Sequence, residues 1–157
     1  MTKRFNKLKH RIKKLLIKSN LINRNFFLDA LPLINYFTFE NEFRGPNIII
    51  SKRLAPYITF FKKKRKVLDI GCGRGEFLEL CKKARITALG IDRDKSMVTE
   101  CQRKKLLVRQ CDLFDYLLKC NDNYHDGIVA IQVIEHLNSR RIQNFAKLSY
   151  DVLKKGS

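Results

Sequence analysis

The sequence predicts an α/β fold built on a parallel β-sheet, and two patterns support this prediction. From Lys66 onward, short apolar runs alternate with segments of helical periodicity, which is typical of βαβ units. A glycine-rich turn at residues 71–75 connects the first apolar run to the first of these helices. The 157 residues, 45% of them hydrophobic, are enough for one folded domain with its own core.

The predicted elements follow one another in a regular order. Strands are predicted at residues 67–70, 87–91, 106–110 and 127–132. Helices are predicted at residues 76–83, 95–104, 114–119 and 139–153. Upstream, a Gly-Pro turn introduces a helix predicted over residues 47–61, and Lys62–Lys66 form an exposed connector to the first strand.

The positive charge is distributed unevenly along the chain, whose net charge is +18. Residues 1–66 hold 17 basic and 3 acidic residues, a net charge of +14, whereas the remainder holds 16 basic and 12 acidic residues, a net charge of +4. We therefore predict a basic extension at residues 1–25, a helical lid or cap segment at 26–65 and the α/β domain at 66–157.

The basic extension has the pattern of an amphipathic helix. Between residues 3 and 18, apolar residues recur at steps of three and four, with Lys and Arg at the positions between them. Such a helix can bind an anionic membrane surface through residues 1–24, or a nucleic acid, although a solvated helix face explains the same pattern.

Other residue types exclude several classes of protein. The five cysteines form no C-x-x-C pair and no cluster with histidine, so we expect neither a metal site nor a disulfide framework. Free thiols suit a reducing cytoplasm. No apolar run reaches the roughly 18 residues that a membrane-spanning helix needs. His10 and His125 have no partners in the sequence and are expected at the surface.

The glycine-rich turn marks a candidate binding site. Gly71, Gly73 and Gly75 allow the backbone to bend tightly and to approach a ligand closely. Their spacing is G-x-G-x-G, whereas dinucleotide-binding folds use G-x-G-x-x-G, and Asp69 stands two residues before the first glycine. A turn that binds a pyrophosphate is lined by backbone amides and carries no negative side chain. The carboxylate of Asp69 therefore indicates a ligand with positive charge.

The run from Val67 to Phe77 resembles the first motif of class I S-adenosylmethionine-dependent methyltransferases. The resemblance implies a Rossmann-like three-layer sandwich, incomplete here because the chain holds only the first four parallel strands. It also implies S-adenosyl-L-methionine as the cofactor, whose ammonium and sulfonium groups suit a nearby carboxylate. The residues of this run that would bind it are Asp69, Gly71, Cys72, Gly73 and Gly75.

Further cofactor contacts follow from the same resemblance. Asp92, with Arg93 beside it, ends the second strand. In the family, a carboxylate at this position accepts hydrogen bonds from both ribose hydroxyls of the cofactor. NAD-binding enzymes use a carboxylate in the same way. Met97 would pack on the adenine ring, although ordinary core packing explains it as well. Asp112 would accept hydrogen bonds from the adenine amino group, and Leu113 would offer its backbone amide to the ring.

The end of the fourth predicted strand supplies the catalytic candidates. Residues 131–137 resemble a motif of small-molecule methyltransferases that read E-H-L after a strand. Gln132 would contact the methionine part of the cofactor, and His136 would act as general base toward a hydroxyl, or would orient the following loop. Glu135 is the second catalytic candidate and suits a structural role better. The run lacks the Asn/Asp-Pro-Pro-Tyr/Phe pattern of enzymes that methylate exocyclic base amines.

A narrower resemblance covers the segment before the first strand. Residues 39–45 and 52–54 are similar to bacterial methyltransferases of polysaccharide and O-antigen assembly. In that group this segment folds over the cofactor, so Phe43, Arg44 and Arg53 would line the cofactor site. The resemblance implies a glycan or small-molecule acceptor and a cytoplasmic protein that attaches peripherally to the inner membrane face.

These observations lead to one main functional hypothesis and two alternatives. The main hypothesis is O-methylation of a glycan or another small-molecule hydroxyl or phosphate. The chain could instead be an inactive S-adenosylmethionine-binding adaptor, or half of a split enzyme. A third interpretation is an RNA methyltransferase with residues 1–66 as its RNA-binding arm, although a nucleic-acid partner is the weaker expectation.

The C-terminal end of the chain adds one expectation. Residues 153–157 resemble the turn that follows the fourth helix of the family, so we expect a fragment, a truncated product or half of a split enzyme. The fourth strand would then lie at an exposed edge of the sheet, where a partner chain could complete it. We expect the chain alone to bind the cofactor and to show weak or absent turnover.

Overall fold

The computed structural model describes residues 47–156. The described residues all belong to one compact unit of the chain, which begins at residue 45. The amphipathic helix predicted in residues 1–25 and the candidate site residues Phe43 and Arg44 lie outside the described residues. Between residues 47 and 156, no helix combines the length and the apolar character that crossing a membrane requires.

Helices and strands alternate along the described residues. The helices are α1 (Asn47–Leu54), α2 (Glu76–Lys83), α3 (Lys95–Arg103), α4 (Leu113–Lys119) and α5 (Ser139–Val152). The strands are β1 (Val67–Ile70), β2 (Ala88–Asp92), β3 (Val108–Gln110) and β4 (Gly127–Val129). There are also 3₁₀ helices at Ala55–Phe61 and Ile134–His136.

The helix predicted over residues 47–61 is divided after Leu54. Pro56 has no backbone N–H, so it cannot donate the hydrogen bond that would continue the α-helical ladder. The chain therefore changes to a tighter 3₁₀ helix at Ala55, which runs to Phe61.

The four strands form one parallel sheet in the order β3-β2-β1-β4, which confirms the predicted α/β fold. All four residues of β1 are buried, because this strand lies between two others and is covered on both faces. Successive side chains of a strand point to opposite faces. Leu68 and Ile70 accordingly enter one core layer and Val67 enters the other.

Helices cover both faces of the sheet. The larger layer packs α4 and α5 against the strands through Leu68, Ile70, Ile91, Leu117, Phe145 and Val152. The other layer packs α2 and the first 3₁₀ helix against them through Val67, Phe77, Cys81 and Ile86, together with the partly buried Ile58 and Phe61. These two layers fix the ends of the strands, where the candidate site residues lie.

The prediction that β4 extends to residue 132 is wrong, because the strand ends at Val129. Gln132 adopts a left-handed backbone with φ +58°, which a regular strand cannot accommodate. The next side chain, Val133, lies beside Gly71, and it also packs against the larger core layer. The chain therefore leaves the sheet early so that Val133 can contact the loop that follows β1.

His125 is buried, and the prediction that it lies at the surface is wrong. It is 2% exposed and lies two residues before β4. Its Nδ1 lies 2.9 Å from the carbonyl oxygen of Lys66, and its Nε2 lies 3.0 Å from the hydroxyl of Tyr116. A carbonyl only accepts, so Nδ1 carries the proton and, in the neutral ring, Nε2 accepts from the tyrosine hydroxyl. The imidazole thereby links the start of β1 to α4.

Replacing His125 with Gln should remove a pH-dependent part of the stability. Burial lowers the pKa of His125 below its ordinary value of 6.5, so folding favours the neutral ring. The free energy of unfolding is then at its full value above about pH 6.5 and falls as the pH drops below it, because the unfolded chain takes up the proton first. Urea unfolding at a series of pH values should give a flatter profile for His125→Gln.

Tyr116→Phe is the matched control for this experiment. It removes the hydroxyl partner of Nε2 and keeps the titrating histidine. This variant should lose about 1–3 kcal/mol of stability and keep most of the pH dependence, because burial is the main cause of the lowered pKa of His125. Equal slopes below pH 6.5 for the wild type and His125→Gln would contradict the interpretation.

Candidate functional site

The candidate site residues meet at the carboxyl ends of the strands. Because all four strands are parallel, the loops that follow them lie at one edge of the sheet. In open α/β sheets, ligands bind at this edge. The loops concerned comprise residues 71–75 after β1, 93–94 after β2, 111–112 after β3 and 130–138 after β4.

The loop after β1 is a left-handed glycine turn. Gly71, Gly73 and Gly75 have φ values of +67°, +53° and +81°, a region in which side chains are strained. The N–H groups of Gly71 and Cys72 both donate to the carbonyl of Ile91, at 2.8 and 3.1 Å, and thereby join the turn to β2. A Cβ on Gly71 would lie 2.6 Å from Cγ2 of Val133, so the turn also touches the segment after β4.

The carboxylate of Asp92 lies beside this turn and is held by two backbone groups. Gly73 N–H donates to Oδ2 and Asp94 N–H donates to Oδ1, each at 2.9 Å. Each oxygen has a further lone pair for another donor. The carboxylate can therefore accept hydrogen bonds from two adjacent hydroxyl groups, which is what the ribose of an adenosine offers.

Helix α3 and Lys104, which follows it, hold the glycine turn from the other side, although the sequence motifs do not indicate these contacts. Cys101 Sγ lies 3.2 Å from the carbonyl oxygen of Gly73. Lys104 Nζ donates to the carbonyl of Arg74 at 2.8 Å and forms an ion pair with Glu79 at 3.1 Å. These bonds span 28 and 30 residues of sequence, so no local pattern could have predicted them.

A buried ion pair joins the turn to the first residue of α2. Arg74 and Glu76 are 2.8 Å apart, and their side chains are 4% and 2% exposed. Removing one partner of such a pair typically costs about 3–5 kcal/mol, because the other charge stays buried. The sequence shows both charges beside the glycines, but nothing in their spacing indicates that they are buried. The sequence therefore does not predict that this ion pair stabilises the loop.

The thiols near the turn are neutral groups. The hydrogen bond with Cys101, together with burial, raises the pKa of Cys72 far above its ordinary value. Burial, together with the charge of Asp69, raises the pKa of Cys81 to about 12. These cysteines are therefore not nucleophiles. Within residues 47–156, no group of His, Cys, Asp and Glu side chains is arranged to hold a metal ion.

The other predicted cofactor contacts occupy different environments. Asp69 is 3% exposed in the middle of the sheet, and Met97 is 1% exposed. Arg93 is exposed, and its carbonyl accepts a hydrogen bond from Gln110. Leu113 is the first residue of α4 and packs on the larger core layer.

Asp112 already has a structural role. Its Oδ1 accepts the N–H of Phe114 at 2.8 Å and so caps the N-terminus of α4, while Oδ2 lies 3.9 Å from Nη2 of Arg141. The Arg141 guanidinium also lies over the Phe114 ring, 4.6 Å from its centroid. A ligand amino group at Asp112 would share the carboxylate with these donors.

The catalytic candidates lie in the loop after β4. Glu135 and His136 are exposed in the short 3₁₀ helix, and Gln132 is exposed on its left-handed backbone just before it. They share the carboxyl edge of the sheet with Asp92 and the glycine turn. Arg53 is exposed in the last turn of α1, and no described contact joins it to this edge.

The turn and the Asp92 carboxylate fit S-adenosyl-L-methionine as a ligand. The ribose hydroxyls match the free lone pairs of Asp92, and the absence of side chains at the glycines permits close approach. The buried carboxylate of Asp69 lies in the strand that leads into the turn. Its negative charge would favour a cationic group of the ligand nearby. Fold and site together match the cofactor-binding region of class I S-adenosylmethionine-dependent methyltransferases.

Comparison with known proteins identifies the family. The family model described as "Methionine biosynthesis protein MetW" matches residues 54–149, and the chain belongs to this family. Among solved structures, the chain is similar to a SAM-dependent methyltransferase from Archaeoglobus fulgidus, with 43% identity and a TM-score of 0.72. That match covers 76% of this chain and 53% of the other.

Two curated relatives are also methyltransferases. The mitochondrial ubiquinone biosynthesis O-methyltransferase of Rattus norvegicus is 31% identical over 100 residues, which cover 58% of this chain and 28% of the relative. The tRNA (carboxymethyluridine(34)-5-O)-methyltransferase of Xenopus tropicalis is 27% identical over 106 residues, which cover 66% of this chain and 16% of the relative. The chain thus spans less than a third of the length of either curated relative.

Replacing Asp92 with Asn should weaken cofactor binding. The carboxamide turns one acceptor oxygen into an NH₂ group, which would face the N–H of Gly73 or Asp94. We expect the Kd for S-adenosylmethionine, measured by isothermal titration calorimetry, to rise about tenfold to hundredfold. Asp115→Asn, at an exposed carboxylate of α4, is the control and should leave the Kd unchanged. An unchanged Kd in Asp92→Asn would exclude this carboxylate from the site.

A second prediction concerns Gly71 and its contact with Val133. Gly71→Ala places a side chain on a left-handed backbone, which is strained. It also brings the new Cβ to 2.6 Å from Cγ2 of Val133, which is a steric clash. We expect a loss of about 1–3 kcal/mol in unfolding free energy and weaker cofactor binding. In a double-mutant cycle with Val133→Ala, the steric part should disappear and the strain of about 1–2 kcal/mol should remain. Strictly additive effects would show that the two residues do not clash.

Proposed function

We propose that the chain forms the cofactor-binding part of an O-methyltransferase that acts on a hydroxyl of a glycan or another small molecule. The observation that supports this most is the shared edge of the sheet. There, the carboxylate of Asp92, which can bind a ribose, lies beside the glycine turn after β1. The exposed His136 follows β4, the strand next to β1.

Some residues at this edge bind the cofactor, and another accepts a proton. When bound, S-adenosylmethionine supplies a methyl group on a cationic sulfonium, and transfer to a hydroxyl oxygen leaves S-adenosylhomocysteine and one proton. Asp92 and the glycine turn hold the nucleoside in place, so most of the rate enhancement comes from positioning. His136 accepts the proton that the acceptor hydroxyl releases.

Transfer to oxygen is supported by the names of both curated relatives. Each is named as an O-methyltransferase, one in ubiquinone biosynthesis and one on a modified tRNA base. The family description, methionine biosynthesis, refers to small metabolites and supports a small acceptor. The resemblance of residues 39–45 and 52–54 to polysaccharide-assembly enzymes supports a glycan in particular. Such enzymes work at the cytoplasmic face of the membrane, and we propose the same location here.

A second candidate acceptor is RNA. The tRNA-modifying relative supports it, and so does the net charge of +14 in residues 1–66, because neutralising phosphates is the main source of affinity for nucleic acids. The same acceptor assay can separate RNA from glycan and from small metabolites.

The assay follows tritium from the methyl group of S-adenosylmethionine into three acceptor classes: a bacterial polysaccharide, a mixture of small hydroxyl metabolites and unmodified tRNA. The proposal expects label in the polysaccharide or in the small-molecule fraction. Label only in tRNA would favour the second candidate. No label in any fraction, with cofactor binding intact by calorimetry, would instead indicate an adaptor.

Replacing His136 with Gln should lower the rate and leave cofactor affinity unchanged. Loss of a general base typically costs about 10²–10⁴-fold in rate. Glu135→Gln is the matched control, since it changes the neighbouring exposed residue of the same 3₁₀ helix, and it should have a much smaller effect. A rate for His136→Gln within the range of Glu135→Gln would show that the histidine does not accept the proton.

A further inference from the structure

A second surface of the molecule combines exposed aromatic rings with a run of basic residues. We name it the aromatic–basic strip and define it as Tyr57, Phe60 and Lys62–Lys66. Phe60 is 74% exposed and Tyr57 is 47% exposed, high values for large hydrophobic side chains. The strip has no part in the cofactor site described above, so its exposure calls for a separate explanation.

The geometry of the 3₁₀ helix explains why these rings face outward. Residues three apart lie above one another in a 3₁₀ helix, so the segment from Ala55 to Phe61 presents separate rows of side chains. Ile58 and Phe61 form the inner row and pack on the core layer of Val67 and Phe77. The ring of Phe61 contacts that of Phe77 edge to face, with centroids 5.6 Å apart. Tyr57 and Phe60 form the outer row.

The residues that follow the outer row form a continuous run of positive charge. Five consecutive residues, Lys62–Lys66, are basic. In the described part of the chain, no carboxylate forms an ion pair with the side chain of Lys62, Lys63 or Lys64. This part of the strip therefore attracts anionic partners.

Contacts on the far side of the strip hold its last residues in place. The carboxylate of Asp126 accepts the backbone N–H groups of Arg65 and Lys66 at 2.8 and 2.7 Å. The Nζ of Lys66 lies 4.1 Å from the ring centroid of Tyr124, which is itself 41% exposed. These bonds fix the strip against the start of β4 and add a third exposed aromatic ring beside it.

The strip lies at the edge of the sheet opposite to the cofactor site. Lys66 immediately precedes β1, whereas the glycine turn immediately follows it. The four residues of β1 separate the two features by about 13 Å at 3.3 Å per residue. A partner bound to the strip would therefore leave the Asp92 edge free.

We propose that the aromatic–basic strip binds the surface of an anionic lipid bilayer. Aromatic side chains are favoured at the boundary between lipid headgroups and acyl chains, where Phe60 and Tyr57 would leave water. Clustered lysines are attracted by the negative potential of acidic lipids, and their long side chains can reach the headgroups from a residue above the membrane plane. A single element of the fold presents both contributions side by side.

The composition of the strip favours a bilayer over a nucleic acid. Four of its five basic residues are Lys and one is Arg. Arginine has the planar donor fork that recognises individual phosphates and bases, whereas lysine point charges suffice for the diffuse charge of a lipid surface. The outer row of the 3₁₀ helix offers one hydroxyl, that of Tyr57, and no other side-chain hydrogen-bonding group for reading bases.

The test is sedimentation of the full-length chain with vesicles of phosphatidylcholine, alone or in an equimolar mixture with phosphatidylglycerol. We expect binding to the mixed vesicles and little to phosphatidylcholine alone. Replacing Lys62, Lys63 and Lys64 together with Gln should weaken binding about a hundredfold. Phe60→Ala should weaken it about tenfold. Ile142→Ala, at an exposed apolar side chain of α5, is the matched control and should have no effect.

A further variant separates lipid from nucleic acid. Phe60→Leu keeps an apolar side chain but removes the aromatic ring, so it should bind mixed vesicles within about threefold of the wild type. A nucleic acid that stacks on Phe60 would lose this contact in Phe60→Leu as fully as in Phe60→Ala. The proposal would be overturned if the chain bound single-stranded RNA but not vesicles, and if Phe60→Leu and Phe60→Ala weakened the RNA binding equally. Vesicle binding unchanged in both the triple Gln variant and Phe60→Ala would overturn it too. The readout does not depend on methyl transfer.

Discussion

The hydrogen bond from Gly73 N–H to the Asp92 carboxylate is the contact on which the site depends. It ties the turn after β1 to the end of β2, and Asp94 N–H holds the second carboxylate oxygen. The same carboxylate thus orders the protein and offers its remaining lone pairs to a ligand. Parallel pairing of β1 with β2 brings the two strand ends together, so the sheet itself sets the geometry of the site.

The sequence predicted those features of fold and site that have local causes. Glycines at positions 71, 73 and 75 predict a tight turn, and all three adopt positive φ. Alternating apolar runs gave the parallel sheet, with strand limits within two residues except at β4. That strand ends early because Val133 packs beside Gly71, a tertiary contact that no local pattern contains.

Features that depend on distant contacts could not be predicted. Lys104 reaches the carbonyl of Arg74 across 30 residues, and the buried His125 is hydrogen-bonded to the residue before β1 and to α4. A lone histidine or lysine in a polar stretch has the same sequence signature whether it is exposed or buried. Asp112 illustrates the reverse case, because a predicted ligand contact also caps α4 and lies near Arg141.

The span of the bonds that shape the glycine turn has a consequence for folding. Its side-chain partners lie 19, 28 and 30 residues further along the chain, at the end of β2, on α3 and just after α3. The turn can therefore acquire its binding geometry only after those elements have docked, which places its assembly with the global folding event. A ligand that binds only the folded protein raises its free energy of unfolding by RT ln(1 + [L]/Kd), so a cofactor bound at this turn would stabilise the whole domain. The stability of this protein in a cell would then rise and fall with the supply of its methyl donor.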